Sequence, residues 1–371
     1  MADARVKKLA HLLVSYSTEI KKDDFAYIAG DYSVTKDLVL AIYREVLRAG
    51  GHPFVVLGGY ELSEIFYQEA STEQLEWISP IMDIYKDKLD AMFDIRGTSN
   101  TAGLNNIDPK KQRISAKAIG KAIMGPLMKR QEEGKLKPVV TLFPCPAMAQ
   151  DAEMSLSDYE DFVYSAMFCD HEDPVEEWEN LRKKQSGLIK WMKGREKVVI
   201  RGENVDLQFS IKGRTFESDN GKVNMPGGEI YTGPVEDSVE GNVTFTYPAV
   251  HLGHVVENVH LTFEKGKVVH ATADKNDEFL RAMLETDEGS SYLGEFGIGT
   301  NFGIQRFTKQ MLFDEKIGGT FHLALGNGYP ETGSVNESAI HWDMICDLGE
   351  DGEIIVDDEP FFKDGKFIPW H

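Results

Sequence analysis

The chain is poor in cysteine, and it has no run of residues apolar enough to cross a membrane. Its three cysteines, Cys145, Cys169 and Cys346, are far apart and form no CxxC pair, which excludes a disulfide framework and a cysteine-ligated zinc site. The N-terminal stretch lacks the continuous apolar core and the cleavage site of a signal peptide, and it predicts an amphipathic helix over residues 1–20. We therefore expect a cytoplasmic protein with reduced thiols.

Basic residues are also scarce. The 371 residues include 40 Lys and Arg against 61 Asp and Glu, for a formal net charge of −21. Nucleic acids and anionic membranes bind through Lys and Arg side chains that replace the counterions of phosphate groups. The charge balance therefore argues against both as partners, and it favours an acidic surface that concentrates cations, including divalent metals.

Three common catalytic motifs are missing. The chain has no GxxxxGK[ST] phosphate loop, no HExxH zinc-binding helix and no GxSxG nucleophile elbow. The stretch GIGTNFG at 297–303 resembles a dinucleotide-binding fingerprint, but it lies in a β-rich region and no amphipathic helix clearly starts there. We interpret it as a glycine-rich loop, so the chemistry has to come from side chains that are distant in the sequence.

The order of predicted elements divides the chain into two domains. In residues 1–190, strands such as DDFAYIAG alternate with helices such as EQLEWISPIMDIY, which predicts an α/β domain with a largely parallel sheet. A charged helix near 174–194 joins it to residues 191–371. Short alternating stretches with tight turns there predict an α+β, mostly antiparallel β domain that contains the catalytic residues.

The second domain places carboxylates and histidines within apolar or glycine-rich strand edges. The candidate site residues are Glu229, Glu295, Glu315, His322, Tyr329, His341 and Asp343. Burying an unpaired carboxylate is unfavourable, so each of these carboxylates needs a cationic partner. Lys316 and Arg306 are the main basic residues nearby, and divalent ions are the alternative.

His341 and Asp343 lie two residues apart in SAIHWDMICD, and in a strand they point to the same face. The pair fits a metal site, or a hydrogen bond between the two side chains. The four candidate carboxylates would balance two divalent cations, and the two imidazoles favour zinc or cobalt over magnesium. His251 and His254 compete as ligands, but their spacing puts them on opposite faces of a strand.

Four motifs resemble, in the same order, those of the aminopeptidase T and aminopeptidase S family, the thermophilic metalloproteases with two cocatalytic ions. They are NMPGGEIYTGP, DEGSSYLGEFGIG, LFDEKIGGTFHLALGNGYP and NESAIHWDM. The resemblance extends over essentially the whole chain, and it implies metal ligands at Glu229, Glu295, Glu315, His322, His341 and Asp343. The segment from Glu315 to His322 is longer than in the best-known members, which leaves Asp314 as the rival of Glu315.

The resemblance also implies a reaction. Two divalent ions (zinc or cobalt, with manganese and magnesium as alternatives) share a carboxylate and activate a bridging water. Tyr329 donates a hydrogen bond to the developing oxyanion, worth roughly 3 kcal/mol, and Glu229 takes part in catalysis as well as metal binding. One of the glutamates acts as the general base. The resemblance does not identify which glutamate has this role. The expected substrates are short peptides with a free N-terminus and a broad, leucine-type preference. The expected assembly is a homodimer, in which the resemblance makes residues 1–190 the capping and dimerisation domain.

Two alternatives stay open. The same two-metal site could hydrolyse another amide or ester. Metal ligands indicate that the reaction is a hydrolysis, but they do not identify the leaving group. Alternatively, the metals are purely structural in a binding protein without catalysis, although structural zinc sites are typically rich in cysteine. In the first domain, FDIRGTSNTAGLNNIDP at 93–109 is the stretch that we expect to reach toward a substrate.

Overall fold

The computed structural model describes residues 3–370. Residues 1 and 2 of the predicted N-terminal helix therefore lie outside the described residues, as does residue 371. The chain divides into two compact units, one of Met1–Glu176 with Gly221–Pro226 and one of Glu177–Asn220 with Gly227–His371. Within the described range, no helix combines the length and the apolar character needed to span a membrane.

The helices of residues 3–370 lie mostly in the first unit. In chain order they are α1 (Ala4–Leu12), α2 (Tyr32–Ala49), α3 (Tyr60–Glu69), α4 (Thr72–Glu76), α5 (Ile81–Lys88), α6 (Pro109–Ile119), α7 (Gly125–Glu132), α8 (Pro146–Asp151), α9 (Leu156–Ala166), α10 (Pro174–Met192), α11 (Asp277–Leu284) and α12 (Met311–Asp314). π-Helical turns at Leu13–Ser17 and Gly120–Met124 directly follow α1 and α6.

The strands lie mostly in the second unit. In chain order they are β1 (Phe25–Asp31), β2 (His52–Gly58), β3 (Ala91–Arg96), β4 (Lys137–Leu142), β5 (Lys197–Gly202), β6 (Val205–Ser210), β7 (Glu217–Asp219), β8 (Asn224–Met225), β9 (Glu229–Thr232), β10 (Glu240–Thr244), β11 (Ala249–His251), β12 (His254–Val256), β13 (His260–Glu264), β14 (Lys267–Thr272), β15 (Leu293–Gly299), β16 (Thr320–Gly326), β17 (His341–Asp347), β18 (Glu353–Val356), β19 (Glu359–Lys363) and β20 (Lys366–Phe367).

The first unit is built on a parallel sheet with the strand order β2-β1-β3-β4-β8. Ala26 and Ile28 of β1 are fully buried. They share a face with Gly30, where an added Cβ would lie 3.5 Å from Val39 of α2, so this face packs against that helix. Asp31 caps the start of α2, and Gly50 ends it with a φ of +87°. The predicted α/β domain with a largely parallel sheet is confirmed.

The stretch EQLEWISPIMDIY forms two helices, α4 and α5, and not one continuous helix. Ser71 starts α4 with a capping box that includes Gln74. α5 begins directly after Pro80. Proline disfavours helical geometry in the residue before it and has no N–H to donate, so the chain breaks between the two helices.

The second unit is mainly antiparallel, as predicted. It contains an eight-stranded sheet, β14-β13-β10-β6-β5-β18-β19-β20, and a five-stranded sheet, β17-β16-β15-β9-β7, together with the hairpin β11-β12. One apolar cluster includes side chains from both large sheets, such as Phe209 and Phe296, whose rings lie 4.9 Å apart. The glycine-rich stretch at 297–303 ends β15 without starting a helix, which confirms that it is not a dinucleotide fingerprint.

The five-stranded sheet has two chemically different faces, and this difference positions the candidate site. One face is apolar and packs into the core, with the buried residues Phe296, Ile298, Leu323, Trp342 and Met344. Successive residues of a strand point to opposite faces. The residues between these apolar positions therefore face the other way, and they include the candidate ligands.

Candidate metal centre

Each strand of the five-stranded sheet contributes acidic or imidazole side chains to its polar face. From one edge to the other, they are His341 and Asp343 on β17, His322 on β16, Glu295 on β15, Glu229 on β9 and Asp219 on β7. In the strand register His322 lies opposite Gly297, and Glu229 lies opposite Gly299 and Asp219. Because neighbouring strands are about 4.8 Å apart, side chains that are distant in sequence converge here.

These side chains form two groups that share one carboxylate. Glu229, Glu295 and His322 form the first group, and Glu295, His341 and Asp343 form the second, with ligand atoms within 4.8 Å of one another in each group. His322 Nε2 lies 3.2 Å from Glu229 Oε2 and 3.5 Å from Glu295 Oε1. His341 Nε2 lies 3.2 Å from Glu295 Oε2 and 3.5 Å from Asp343 Oδ2. Glu295 thus presents one oxygen to each group.

Glu315 lies outside both groups, beside a buried lysine. Its carboxylate pairs with Lys316 Nζ, and the Lys316 side chain is 0% exposed. The same ammonium lies 3.5 Å from Glu229 Oε1 and 3.5 Å from Asp219 Oδ2. The sequence suggested Lys316 as a cationic partner. Its ammonium group forms ion pairs with three carboxylates at one end of the cluster.

The rival ligands lie elsewhere. Asp314 is buried, and its carboxylate accepts hydrogen bonds from the backbone N–H and the hydroxyl of Thr308. His251 and His254 face each other across the hairpin β11-β12, so the prediction that they share one strand was wrong: a turn separates them. The His251 ring stacks on Trp342, with centroids 5.3 Å apart. Among the described residues, neither histidine belongs to a ligand group.

Without metal, the two imidazoles bind protons tightly. Burial alone lowers the pKa of His322, but hydrogen bonding with Glu295 and the charge of Glu229 raise it to about 10. Burial also opposes protonation of His341, and the charge of Asp343 nevertheless raises its pKa to about 12. Conversely, burial raises the pKa of Asp343, but the His341 charge lowers it to about 2. The metal-free cluster thus compensates its carboxylates with protonated imidazoles.

We expect divalent metal uptake to release protons and to tighten as pH rises. His322 and His341 are protonated in the metal-free protein at neutral pH, because their raised pKa values lie above it, and a metal ligand has to be the neutral imidazole. Isothermal titration calorimetry in buffers of different ionisation enthalpy should count about two protons released per chain at saturation. An affinity that does not change between pH 6 and pH 8 would contradict this charge assignment.

The donor set fits divalent cations. Within this cluster, three buried atoms have no hydrogen-bond partner in the described chain, namely Glu229 Oε2, His322 Nδ1 and Asp343 Oδ1. The five carboxylates and the Lys316 ammonium leave a net charge of −4 when the imidazoles are neutral, which two divalent ions neutralise. His341 Nδ1 lies 2.8 Å from the backbone oxygen of Asn327. Donation to that oxygen leaves Nε2 directed at the carboxylates.

The comparison with known families agrees with this chemistry. The family described as Thermophilic metalloprotease (M29) matches residues 2–367. The chain belongs to this family. It is 26% identical to aminopeptidase AmpS of Bacillus subtilis (strain 168), over 98% of both chains. The family resemblance is therefore confirmed, as is the enzyme class, a hydrolase of the metalloaminopeptidase type.

Two solved structures share the fold. Wild-type AmpT from Thermus thermophilus is similar with a TM-score of 0.83 and 23% identity, over 98% of this chain and 99% of that one. A 2,5-dihydroxypyridine dioxygenase from Pseudomonas putida KT2440 is similar with a TM-score of 0.61 and 13% identity, over 99% and 98%. Since one fold accommodates such different reactions, the reaction of this metalloprotease has to be argued from its site.

The sequence did not reveal three contributors to the site of this metalloprotease. Asp219 belongs to a short strand without a recognisable motif. A Cβ on Gly297 would lie 2.1 Å from His322 Cε1 and Nε2, so this glycine makes room for the imidazole. The alternation of glycine with apolar residues in EFGIG is the signal for that role. Asn327 acts through its backbone oxygen, which no side-chain pattern identifies.

Tyr329 lies against the second group. Its ring centroid is 5.1 Å from that of His341 and 5.4 Å from that of Tyr231. Burial and the surrounding carboxylates raise the pKa of Tyr329 above its usual value, so its hydroxyl stays protonated and can donate. Next to it in sequence, Asn327, Gly328 and Pro330 line a groove of about 780 Å³. The groove is large enough for a short peptide.

Proposed function

We propose that this metalloprotease releases N-terminal residues, with a broad, leucine-type preference, from short peptides. The proposed centre holds two divalent ions through Glu229, Glu295, Glu315, His322, His341 and Asp343. The observation that carries the proposal is the position of Glu295, which directs one oxygen into each of two ligand groups. Bound zinc or cobalt, or alternatively manganese or magnesium, would supply Lewis-acid activation of the scissile carbonyl and of a water.

Glu229 is our candidate for proton transfer. Burial raises the pKa of Glu229 well above its usual value, and its Oε2 accepts no hydrogen bond within the described chain. In the proposed centre, a Glu229 oxygen that bound metal leaves free would act as the proton acceptor. Glu315 stays a ligand of the proposed centre, held beside the cluster by Lys316.

The charge of the site favours peptides with a free N-terminus. Two bound divalent ions would balance the net charge of −4, so the α-ammonium group of a peptide would pair locally with a single carboxylate of the site, such as that of Asp343, whose Oδ1 has no hydrogen-bond partner within the described chain. An N-acetylated peptide lacks this charge. The groove beside Tyr329 includes the 334–339 segment and Asp287 in its wall, and it offers space for the residues that follow the first one.

Tyr329→Phe should lower kcat by about 100-fold to 1,000-fold, with unchanged metal content, because it removes one hydrogen-bond donor to the developing oxyanion. Steady-state kinetics on leucine p-nitroanilide and metal analysis measure the two quantities. Tyr292→Phe is the matched control, since Tyr292 is half-buried and does not line the groove. An unchanged kcat in Tyr329→Phe would remove Tyr329 from the reaction.

The proposed activity is tested with metal-stripped protein. Zinc, cobalt, manganese and magnesium are added back one at a time, and leucyl peptides are compared with their N-acetylated forms. We expect release of leucine from the free peptides alone. Cleavage of the acetylated forms would point to another two-metal amidohydrolase, and metal-dependent stability without any hydrolysis would point to structural metals.

We also propose a homodimer in a reducing cytoplasm. The three cysteines are free and buried, which fits a compartment that keeps thiols reduced. The dimer is the assembly expected from the family resemblance. Light scattering coupled to size-exclusion chromatography measures the mass directly, and a mass near that of one 41.6 kDa chain would overturn the dimer.

A further inference from the structure

A second cavity lies within the first unit, on the face of the parallel sheet opposite α2. It measures about 540 Å³. Alternate residues of three neighbouring strands line it, namely Ala29 and Asp31 of β1, Val56 and Gly58 of β2, and Asp94 and Arg96 of β3. After β1 the chain continues to β2 on one side and later to β3 on the other. Ligands of open parallel sheets bind at the carboxyl ends of strands, where the strand order reverses in this way.

The cavity exists because the apolar layer on this face covers only part of the sheet. A cluster that includes Tyr85 and Leu127 packs against Tyr27 of β1 and Met92 of β3. Two residues further along each strand, Ala29 and Asp94 line the cavity, and Tyr27 borders both the cluster and the cavity. The carboxyl ends of β1 and β3 are therefore open to a ligand.

The charged side chains Asp94 and Arg96 of the cavity do not form the close ion pair that a purely structural role would require. Asp94 lies within a central parallel strand, where apolar residues are typical. Its charged partner among the described residues is Arg96, whose Nε lies 4.0 Å from Asp94 Oδ2, longer than a hydrogen bond. The Asp94 side chain is 44% exposed, and its partial burial raises its pKa. Asp31, on the adjacent strand, uses Oδ1 to cap α2 through Ser33.

We propose that this cavity binds a free α-amino acid, with its ammonium group at Asp94 and Asp31 and its carboxylate at Arg96. The opposite charges of Asp94 and Arg96 are only 4.0 Å apart. A ligand that pairs with both has to carry its own opposite charges equally close together. An α-amino acid does so, whereas a peptide separates them by its length.

The remaining wall suits an apolar side chain. Tyr60, Leu104 and Met148 line this part of the cavity. A Cβ on Gly103 would lie 2.3 Å from the Tyr60 ring, so the loop after β3 packs directly against that tyrosine. This loop belongs to the stretch FDIRGTSNTAGLNNIDP. None of the residues that line this cavity is a candidate metal ligand, and the proposal does not depend on the proposed function.

The test uses the full-length, metal-free protein, with His341→Ala to disable the metal centre. Isothermal titration calorimetry compares L-leucine, L-methionine and L-phenylalanine with leucinamide, N-acetyl-leucine and leucylglycine. At least one free amino acid should bind. Loss of either ligand charge should weaken binding by about 10-fold or more, and leucylglycine should bind more weakly than leucine. Binding of none of the three amino acids, or equal binding of leucylglycine, would overturn the proposal.

Variants locate the binding. Arg96→Gln and Asp94→Asn should each weaken binding of the amino acid by about 10-fold or more. Arg48→Gln, at an exposed position on α2, is the matched control and should leave it unchanged. Arg96 is exposed, so its variant should keep its fold, which circular dichroism checks. Unchanged affinity in Arg96→Gln would overturn the proposal, whether or not the protein cleaves peptides.

Discussion

Replacing Glu295 by glutamine should remove metal binding at both positions of the proposed centre and lower kcat/KM by more than about 100-fold. Loss of a residue that merely orients a ligand already reduces metal affinity or activity by about 10-fold to 100-fold. Glu295 has a larger role, because its two oxygens face His322 and His341 separately. The amide of glutamine keeps the size of the side chain and removes the charge.

Glu278→Gln provides the matched control for this change. Glu278 is an exposed residue of α11, and its replacement should leave metal content and kinetics unchanged. Metal analysis after dialysis and leucine p-nitroanilide kinetics measure both proteins. A Glu295→Gln protein that retains two ions and its activity would show that the shared carboxylate does not organise the centre.

Replacing Lys316 by methionine should destabilise the metal-free protein by about 3–5 kcal/mol, the typical cost of leaving a buried charge without its partner. Methionine has a similar length and no charge. The change leaves the carboxylates of Glu315, Glu229 and Asp219 without the ammonium that they surround. Urea unfolding of the metal-free proteins measures the difference in the free energy of unfolding.

Metal should reduce this deficit, because bound cations replace part of the lost positive charge and stabilise the folded state by mass action. Lys366→Met, at an exposed position of β20, is the control and should unfold like the wild type. If Lys316→Met unfolds at the same urea concentration as the wild type, the buried ammonium does not stabilise the cluster.

The two-domain architecture could be predicted because its signals are local. Alternation of strands and helices predicts the parallel sheet of the first unit, and period-two patterns predict the antiparallel strands of the second. The strand β8 could not be predicted, since Asn224 and Met225 form it by pairing with β4, which is more than eighty residues earlier in the chain. A strand of two residues is too short to show a period-two pattern of hydrophobicity.

The candidate site was only partly visible in the sequence. His341 and Asp343 alternate with Trp342 along one strand, so their common face follows from strand geometry. The sequence suggests Lys316 as a cationic partner, but its pairing with Glu315 in particular depends on how the turn before β16 folds. The structure therefore leaves Glu315 outside the two ligand groups that it forms from the other predicted ligands.

The number of metal ions per chain tests the central claim most directly. Metal-free protein is titrated with zinc, and separately with cobalt, while bound metal and leucine release are measured on the same samples. The two ligand groups that share Glu295 predict that binding saturates at two ions per chain. Full activity should be reached only when the second ion is bound. Full activity at one ion per chain, with no second ion bound, would contradict the dinuclear centre.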